Sequence, residues 1–589
     1  MGWFKNFVNN SPHLFGEDSD FSESDLEDEG NDEIEENQEA ENDQFSSTDL
    51  NFVPISEYVP KRGRSSTTRY NTGPEIREIP DEAYENPYDL LLAMYGNKII
   101  SETMIGTNEK IEKLHGTESQ FYPVSESDIE EIFGILLIMS QYKCENEPMR
   151  DFLDRLRTYP ESFGFKGFQI MGRIKFEFIY ANLDIGTTKK VPNEKDPLRR
   201  PIIDLKSKLG PIVNHFNNCN LELAKPEPNM PLAIDESLRG SYSRSNILRQ
   251  FMPSKPAKYG EKSIMLAGPN LFIYYFMYVL PKQFSQTDGT LRDLMSQMVP
   301  ESYNNQNLTI ITDNFFITSD ILIDYQKRGI ALLGTVRSNR LKRHFEGQNF
   351  EQLTKIPKKS SFQRSIRTYQ AETGPNKSIH VYFYQDKPSK RPVILTSNDP
   401  ENIRKCEQND SLPVSRNLEP KERPVPVKRY NRYMGSVDVV DRLLTKYTIA
   451  QKVGNRADKT AYLKKTCTYM FDVIILNVYA FYRIHYLKTN PERKTLPKKF
   501  HRNFQLDLAK NLLRKSAPKP PLTELHNPLL GIDLEKENRS PTPIRRSVCH
   551  YCVKGKKMRT RNKCHRCRKF ICKSHSQTLH LCTDCTTQK

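Results

Sequence analysis

The sequence predicts a multidomain α/β protein: a mixed-sheet core with an insertion, a helical domain split on either side of it, a small cysteine-rich end and an acidic, disordered start. Three observations carry this. A block of strand-like runs between residues 231 and 336 closes on a strand–helix–strand order, the signature of a mixed α/β layer. Helix-patterned segments lie both before and after that block. Of 11 cysteines, seven crowd between Cys549 and Cys585. A chain of 589 residues has room for about three or four domains. The expected divisions are 1–80, 81–229, 230–339, 340–425, 426–450, 451–530, 531–545 and 546–589.

Charge is unevenly spread. Residues 17–49 carry 16 Asp and Glu and no Lys or Arg, while the chain after them carries 87 basic and 57 acidic residues, a net charge of +30. The acidic stretch reads as disordered. Serines within acid runs, as in Ser22-Glu23-Ser24-Asp25, suit an acid-directed kinase. So basic a body calls for a polyanionic partner, most simply nucleic acid. No run of 18 apolar residues exists and the first residues lack a hydrophobic signal core, so neither a membrane span nor export is expected.

Order is expected from about Asp81. Pro87–Tyr95 has helical spacing. Ser127–Met139 has a Ser or Asp cap and Glu in its first turn. Gly172–Tyr180 and Pro201–Phe216 continue the pattern. These form the first part of the helical domain.

Strands follow at Pro231–Glu236, Lys262–Ala267 and Leu271–Leu280, then at Leu308–Thr312. A helix capped near Thr318-Ser319 comes next, and then a strand at Ile330–Val336. This is the element order of an RNase H-like core. Asp235 and Asp313 stand at the expected ends of the first and fourth strands, at the sheet edge where open α/β folds place their chemistry. Residues 340–425, rich in Lys, Ser and Pro, read as an insertion with one strand pair, Ser378–Tyr384 and Pro392–Ser397. Beyond it, Asp438 and Asp441 fall three apart, on one face of a helix. A long helix from Thr460 to Tyr486 resumes the helical domain. Residues 487–545 read as linker with a short helix near Phe504–Leu513.

In an RNase H-like core Asp235, Asp313 and Asp438 converge. Three converged carboxylates repel one another and are stable together only around cations. Hard oxygen donors suit Mg²⁺ or Mn²⁺. Two such ions roughly 3.5–4 Å apart activate a water or 3′-hydroxyl and stabilise the leaving oxygen of a phosphodiester. Beside the first strand, Lys255 and Lys258 in the segment Phe251–Lys262 are placed to contact phosphates.

At the C-terminal end, Cys549-x2-Cys552, Cys564-x2-Cys567, Cys572-x2-His575 and Cys582-x2-Cys585 give four ligand pairs, enough for two tetrahedral Zn²⁺ sites. The interleaved reading assigns Cys549, Cys552, Cys572 and His575 to one ion, and Cys564, Cys567, Cys582 and Cys585 to the other. His580 is a substitute donor. About 45 residues build little core, so metal supplies most of the stability of such a domain. Lys556, Lys557, Arg559, Arg561, Arg566 and Arg568 lie between the ligands and suit DNA contact or a nuclear localisation signal.

Four blocks resemble the piggyBac-type transposases: Ile234-Asp235-Glu236-Ser237; Phe251-Met252-Pro253-Ser254-Lys255-Pro256-Ala257-Lys258-Tyr259-Gly260; Thr312-Asp313-Asn314-Phe315-Phe316 with Thr318-Ser319; and Tyr433-Met434-Gly435-Ser436-Val437-Asp438 with Asp441. Gly334-Thr335-Val336-Arg337 also fits, adding Arg337 to the DNA-contact candidates. The resemblance spans roughly residues 84–589. It implies Asp235, Asp313 and Asp438 as catalytic metal ligands and Asp441 as a further essential acid. It also implies a homodimer, a C-terminal domain that binds transposon ends, and cut-and-paste transposition at TTAA through a hairpin intermediate; the nucleus is expected from the basic run among the C-terminal ligands. The sequence departs from the family at Arg456-Ala457-Asp458-Lys459, where an Arg-Trp-Pro stretch is usual, and at Tyr384, where a Trp is usual. A second expectation is a domesticated DNA-binding protein that keeps the fold without catalysis.

Overall fold

A computed structural model describes residues 53–54 and, with short gaps, 77–514, together with four two-residue strands beyond residue 546. The chain divides into two compact units, residues 1–518 and 519–589.

In the first unit a two-residue strand, β1 (Val53–Pro54), precedes six helices: α1 (Pro87–Tyr95), α2 (Lys98–His115), α3 (Glu126–Tyr142), α4 (Met149–Thr158), α5 (Arg173–Asn182) and α6 (Arg199–Leu223). Local chemistry sets their starts. Asn86 caps α1 by accepting from the backbone N–H groups of Tyr88 and Asp89. At α3, Ser125 and Asp128 form a reciprocal capping box. From Ile129 to Met139 every residue of α3 is buried, so this helix is core on all sides.

The sheet is built next, from β2 (Pro231–Gly240), β3 (Arg249–Phe251), β4 (Tyr259–Ala267) and β5 (Ile273–Tyr278). After α7 (Leu291–Met298) come β6 (Thr309–Thr312), α8 (Ser319–Lys327) and β7 (Ala331–Thr335). Five strands lie in the order β5-β4-β2-β6-β7, with β2, β6 and β7 parallel and β4 antiparallel between β2 and β5. That is a mixed sheet, with the three antiparallel-side strands first and the two parallel ones after them, in the element order expected from sequence. Side chains of β6 alternate between two cores: Ile310 joins the large one shared with the helices, and Ile311 a smaller one with Leu333, Tyr382 and Val427.

Two short helices, α9 (Ser338–Lys342) and α10 (Phe350–Thr354), lead to β8 (Ser365–Gly374), β9 (Lys377–Gln385), β10 (Val393–Ser397) and β11 (Ser415–Asn417). The strands of the expected insertion do not form a separate sheet. β10 pairs antiparallel with β7, β9 with β10 and β8 with β9, so the core sheet runs straight on into them. Strand β8, which the sequence reading did not single out, pairs with Val53–Pro54 on the stretch expected to be disordered.

Four helices complete the unit: α11 (Val425–Tyr433), α12 (Ser436–Lys446), α13 (Ala461–Thr489) and α14 (Phe500–Arg514). Arg429 of α11 donates to Thr309 Oγ1 at the start of β6, at 3.0 Å. Phe471 of α13 stacks on Phe133 of α3 at 3.9 Å between centroids. In α14, Phe504, Leu508, Leu512 and Leu513 are buried. A helix read as part of a linker is therefore part of the main core. Among the described residues, no helix is long and apolar enough to cross a membrane.

The second unit contains two antiparallel strand pairs, β12 (Ser547–Val548) with β13 (Arg559–Thr560), and β14 (Ser576–Gln577) with β15 (Leu581–Cys582). Of the expected zinc donors only Cys582 lies within the described residues. Cys549, Cys552, Cys564, Cys567, Cys572, His575, His580 and Cys585 lie outside them, as do Lys556, Lys557, Arg561, Arg566, Arg568 and the departure at 456–459.

Candidate active site

Register places the first two acids. Ile234 of β2 is level with Thr312 of β6 across their parallel pairing, which ends there. Asp235 and Asp313 are the next residues of the two neighbouring strands. Asp235 was expected to end its strand, but β2 continues to Gly240, because β4 goes on pairing with it after β6 has stopped. The acid thus stands at the point where β2 loses its parallel neighbour. On the far side of β6, Gly334 of β7 is level with Thr312, and a Cβ at Gly334 would lie 2.2 Å from the Thr312 carbonyl. Only glycine lets β7 approach that closely beside Asp313.

After Asp313 the chain turns tightly. Asp313 Oδ1 accepts from the N–H of Phe315 at 2.9 Å, and Thr318 caps α8 by accepting from Ile321 N–H at 3.3 Å. Arg340 of α9 clamps this turn, donating to the carbonyls of Asn314, Phe315 and Ile317 at 2.7, 3.1 and 2.9 Å. Arg337, expected on DNA, donates to Asn314 Oδ1 at 3.1 Å.

The remaining acids arrive on α12, whose Val437, Val440 and Leu444 are buried in the core. Asp438 lies in its first turn and is exposed, while Asp441 is half-buried one turn further on. The Asp235 carboxyl is pushed well above the usual carboxylate range, first by burial and then by the negative charges of Asp313 and Asp438; Lys255 opposes the shift. Asp441 is pushed up to about 7, chiefly by burial, against a hydrogen bond from Ser237 and the charge of Lys255. The four acids expected from sequence therefore form one electrostatic cluster.

That cluster fits hard divalent cations in donor chemistry, since positive charge would relieve the mutual repulsion that raises Asp235. Its side chains are not drawn in: among the described residues no three His, Cys, Asp or Glu are gathered closely enough to hold a metal ion.

The two lysines expected on phosphates bond to carbonyls of the chain itself. Lys255 Nζ donates to the Glu236 carbonyl at 3.4 Å, within the field of Asp235 and Asp441. Lys258 Nζ donates to the Pro253 carbonyl of its own loop. Lys262, which was not singled out as a site residue, pairs with Glu236 and lies 5.0 Å from the centre of the Phe315 ring. The Tyr384 hydroxyl donates to Asp386 Oδ1 at 3.0 Å.

A family model described as Transposase IS4 matches residues 86–479, a span that begins before α1, ends within α13 and includes all four acids. The chain belongs to the piggyBac-type transposase family. Among solved structures it is similar to a cryo-EM structure titled piggyBac transposase synaptic complex with hairpin DNA, at 22% identity and a TM-score of 0.54, over 87% of this chain and 99% of that one. At that identity the likeness is one of fold, and the fold agrees with the mixed sheet described above. Family membership makes the chain a transposase in type.

Proposed function

We propose that this protein is an active cut-and-paste DNA transposase that excises and integrates its element at TTAA by metal-dependent strand cleavage, hairpin formation and strand transfer. The observation that carries the reading is that Asp235 and Asp313 follow the last parallel pair of β2 and β6, with Asp438 on one helix, close enough for the charges of Asp313 and Asp438 to raise the proton affinity of Asp235. Asp235, Asp313 and Asp438 would hold Mg²⁺ or Mn²⁺. Bound ions supply Lewis acidity toward the scissile phosphate and an activated oxygen nucleophile. The chain's own work is to present the three carboxylates from separate elements and to keep the Asp313 turn rigid through Arg340.

The partner is double-stranded DNA, both element ends and target, held by a homodimer in the nucleus. The surplus of 87 basic over 57 acidic residues beyond residue 49 supports an anionic partner. Two Zn²⁺ ions in residues 546–589, bound by the four Cys/His pairs with His580 as substitute donor, would organise a second DNA-binding element that presents Arg559 and its basic neighbours.

Excision in cells of a marker flanked by TTAA and the cognate ends tests the reading, with wild type beside Asp313→Asn. Excision by wild type alone, at equal expression and DNA binding, supports it. End-specific binding without excision by either protein assigns the chain to the alternative, a domesticated and catalytically silent DNA-binding protein.

A further inference from the structure

Asp235 and Asp313 are each oriented by a backbone N–H. That of Glu236 donates to Asp235 Oδ1 at 2.7 Å, and that of Phe315 donates to Asp313 Oδ1 at 2.9 Å. No strand pairing joins Glu236 to Phe315, because the parallel ladder of β2 and β6 stops at Ile234 and Thr312. Lys262 of β4 joins them instead. It is level with Leu238, which makes Glu236 its diagonal neighbour on the same face of the sheet. Its ammonium pairs with the Glu236 carboxylate and lies 5.0 Å from the centre of the Phe315 ring, within cation–π reach. The two charged side chains are only 14% and 16% exposed, so salt screens the pair little. The Glu236 carbonyl is held as well, accepting from Lys255 Nζ at 3.4 Å. Alternation along β2 puts Asp235 on the other face from Glu236.

We propose that Lys262 is a positioning residue: by gripping Glu236 and Phe315 together it holds the two N–H groups that aim the Asp235 and Asp313 carboxylates, acting through them rather than on the acids. This rests on the transposase reading above. The register of the sheet fixes how far apart the two acids stand. It leaves free the rotation of each carboxylate and the tilt of the turn after Thr312. Lys262 reaches across β2 from β4 and ties that turn to the residue beside Asp235. A mostly buried ion pair adds little net stability, since desolvation offsets much of its attraction, so its contribution here lies in fixed geometry. Outer partners that orient carboxylates govern how well they meet a cation.

The test uses the full-length protein, with Mn²⁺ as the probe. Bound Mn²⁺ and its affinity are read by electron paramagnetic resonance, and strand cleavage is followed on DNA carrying the cognate end, at a temperature where circular dichroism shows every variant folded. A Lys262 that acted only as a charge near the acids would give opposite effects: tighter Mn²⁺ binding in Lys262→Met and weaker binding in Glu236→Met. As a bridge it gives one effect. Lys262→Met, Glu236→Met and the charge-neutral Phe315→Leu are each expected to keep the ion count and lose about tenfold in affinity, with cleavage falling alongside. Lys262→Met combined with Glu236→Met should be no weaker than either alone. Lys262→Arg, which keeps a cation for both partners, binds and cleaves as wild type does. Tighter Mn²⁺ binding by Lys262→Met would overturn the proposal, and so would Phe315→Leu matching wild type in both readouts. If Lys262→Met does not fold, Phe315→Leu, which leaves the ion pair in place, decides in the same way. A wild-type protein that binds no Mn²⁺ and cuts no DNA would instead bring down the transposase reading, and this inference with it.

Discussion

Asp235 and Asp313 each stand one residue beyond the last paired position, Ile234 with Thr312, of two adjacent parallel strands. The sheet itself therefore sets their separation, and removing either charge should leave the fold intact. Asp235→Asn and Asp313→Asn are each expected to abolish strand cleavage. Both should keep a melting temperature at or slightly above that of wild type, because each substitution removes repulsion from the cluster. Thermal unfolding beside a cleavage assay checks this; a mutant that cleaves at a wild-type rate refutes the assignment.

Gly334 should be as sensitive as the acids without carrying any chemistry. A side chain there meets the Thr312 carbonyl, and Thr312 leads directly into Asp313. Gly334→Val must push β7 from β6 or displace the end of β6. The expected outcome is a loss of about 1–3 kcal/mol of stability from overpacking, and a fall in cleavage larger than that loss explains. Denaturant melts compared with kcat at a temperature where the variant is fully folded separate the two effects.

A buried ion pair ties the sheet to the long helix. Arg239 and Glu261 are level across β2 and β4 and meet at 2.7 Å, with the Glu261 side chain wholly buried. Arg239 also donates to the Lys465 carbonyl of α13, and Glu261 accepts from Asn246 at 2.8 Å. Removing one charge strands the other. Glu261→Gln and Arg239→Met are each expected to destabilise by about 3–5 kcal/mol, and the double variant by much less than their sum. A double-mutant cycle from urea unfolding measures the coupling; additive losses would show that the pair does not act as a unit.

What the sequence made legible was what local chemistry encodes. The run Leu308–Thr312 ending in Asp313 and the cap at Thr318 are short-range signals, and both stand where expected. The extent of β2 was misjudged because it depends on how far β4, more than 20 residues later, continues to pair. Strand β8 was missed because Ser365–Gly374 buries only some of its residues and carries polar groups among them, so its alternation is weak. Lys255 was read from charge and Arg337 from its sequence block, but neither signal could show the bonds they make within the fold, to the Glu236 carbonyl and the Asn314 side chain, which the folded loops around them set. No pattern in the chain could reveal that Ser237 meets Tyr469, 232 residues away.

Asp472 gives the fold a pH dependence of its own, remote in sequence from the acids of the site. Buried within α13, it accepts from the Thr448 hydroxyl at 2.7 Å and from Ile449 N–H at 3.1 Å, anchoring the chain as it leaves α12. Burial pushes its carboxyl up to about 7, outweighing those two bonds. The native state therefore holds a proton that the unfolded chain, with an ordinary carboxyl near 4, has already lost. Across that window the unfolded state binds fewer protons, so stability falls as pH rises from about 4 to about 7 and is level beyond. Asp472→Asn lacks this term but keeps an acceptor for Thr448 or Ile449. Relative to wild type it should be more favourable at pH 8 than at pH 5, as read from paired melting curves. A stability difference independent of pH over that range would mean that Asp472 is ionised in the native protein throughout.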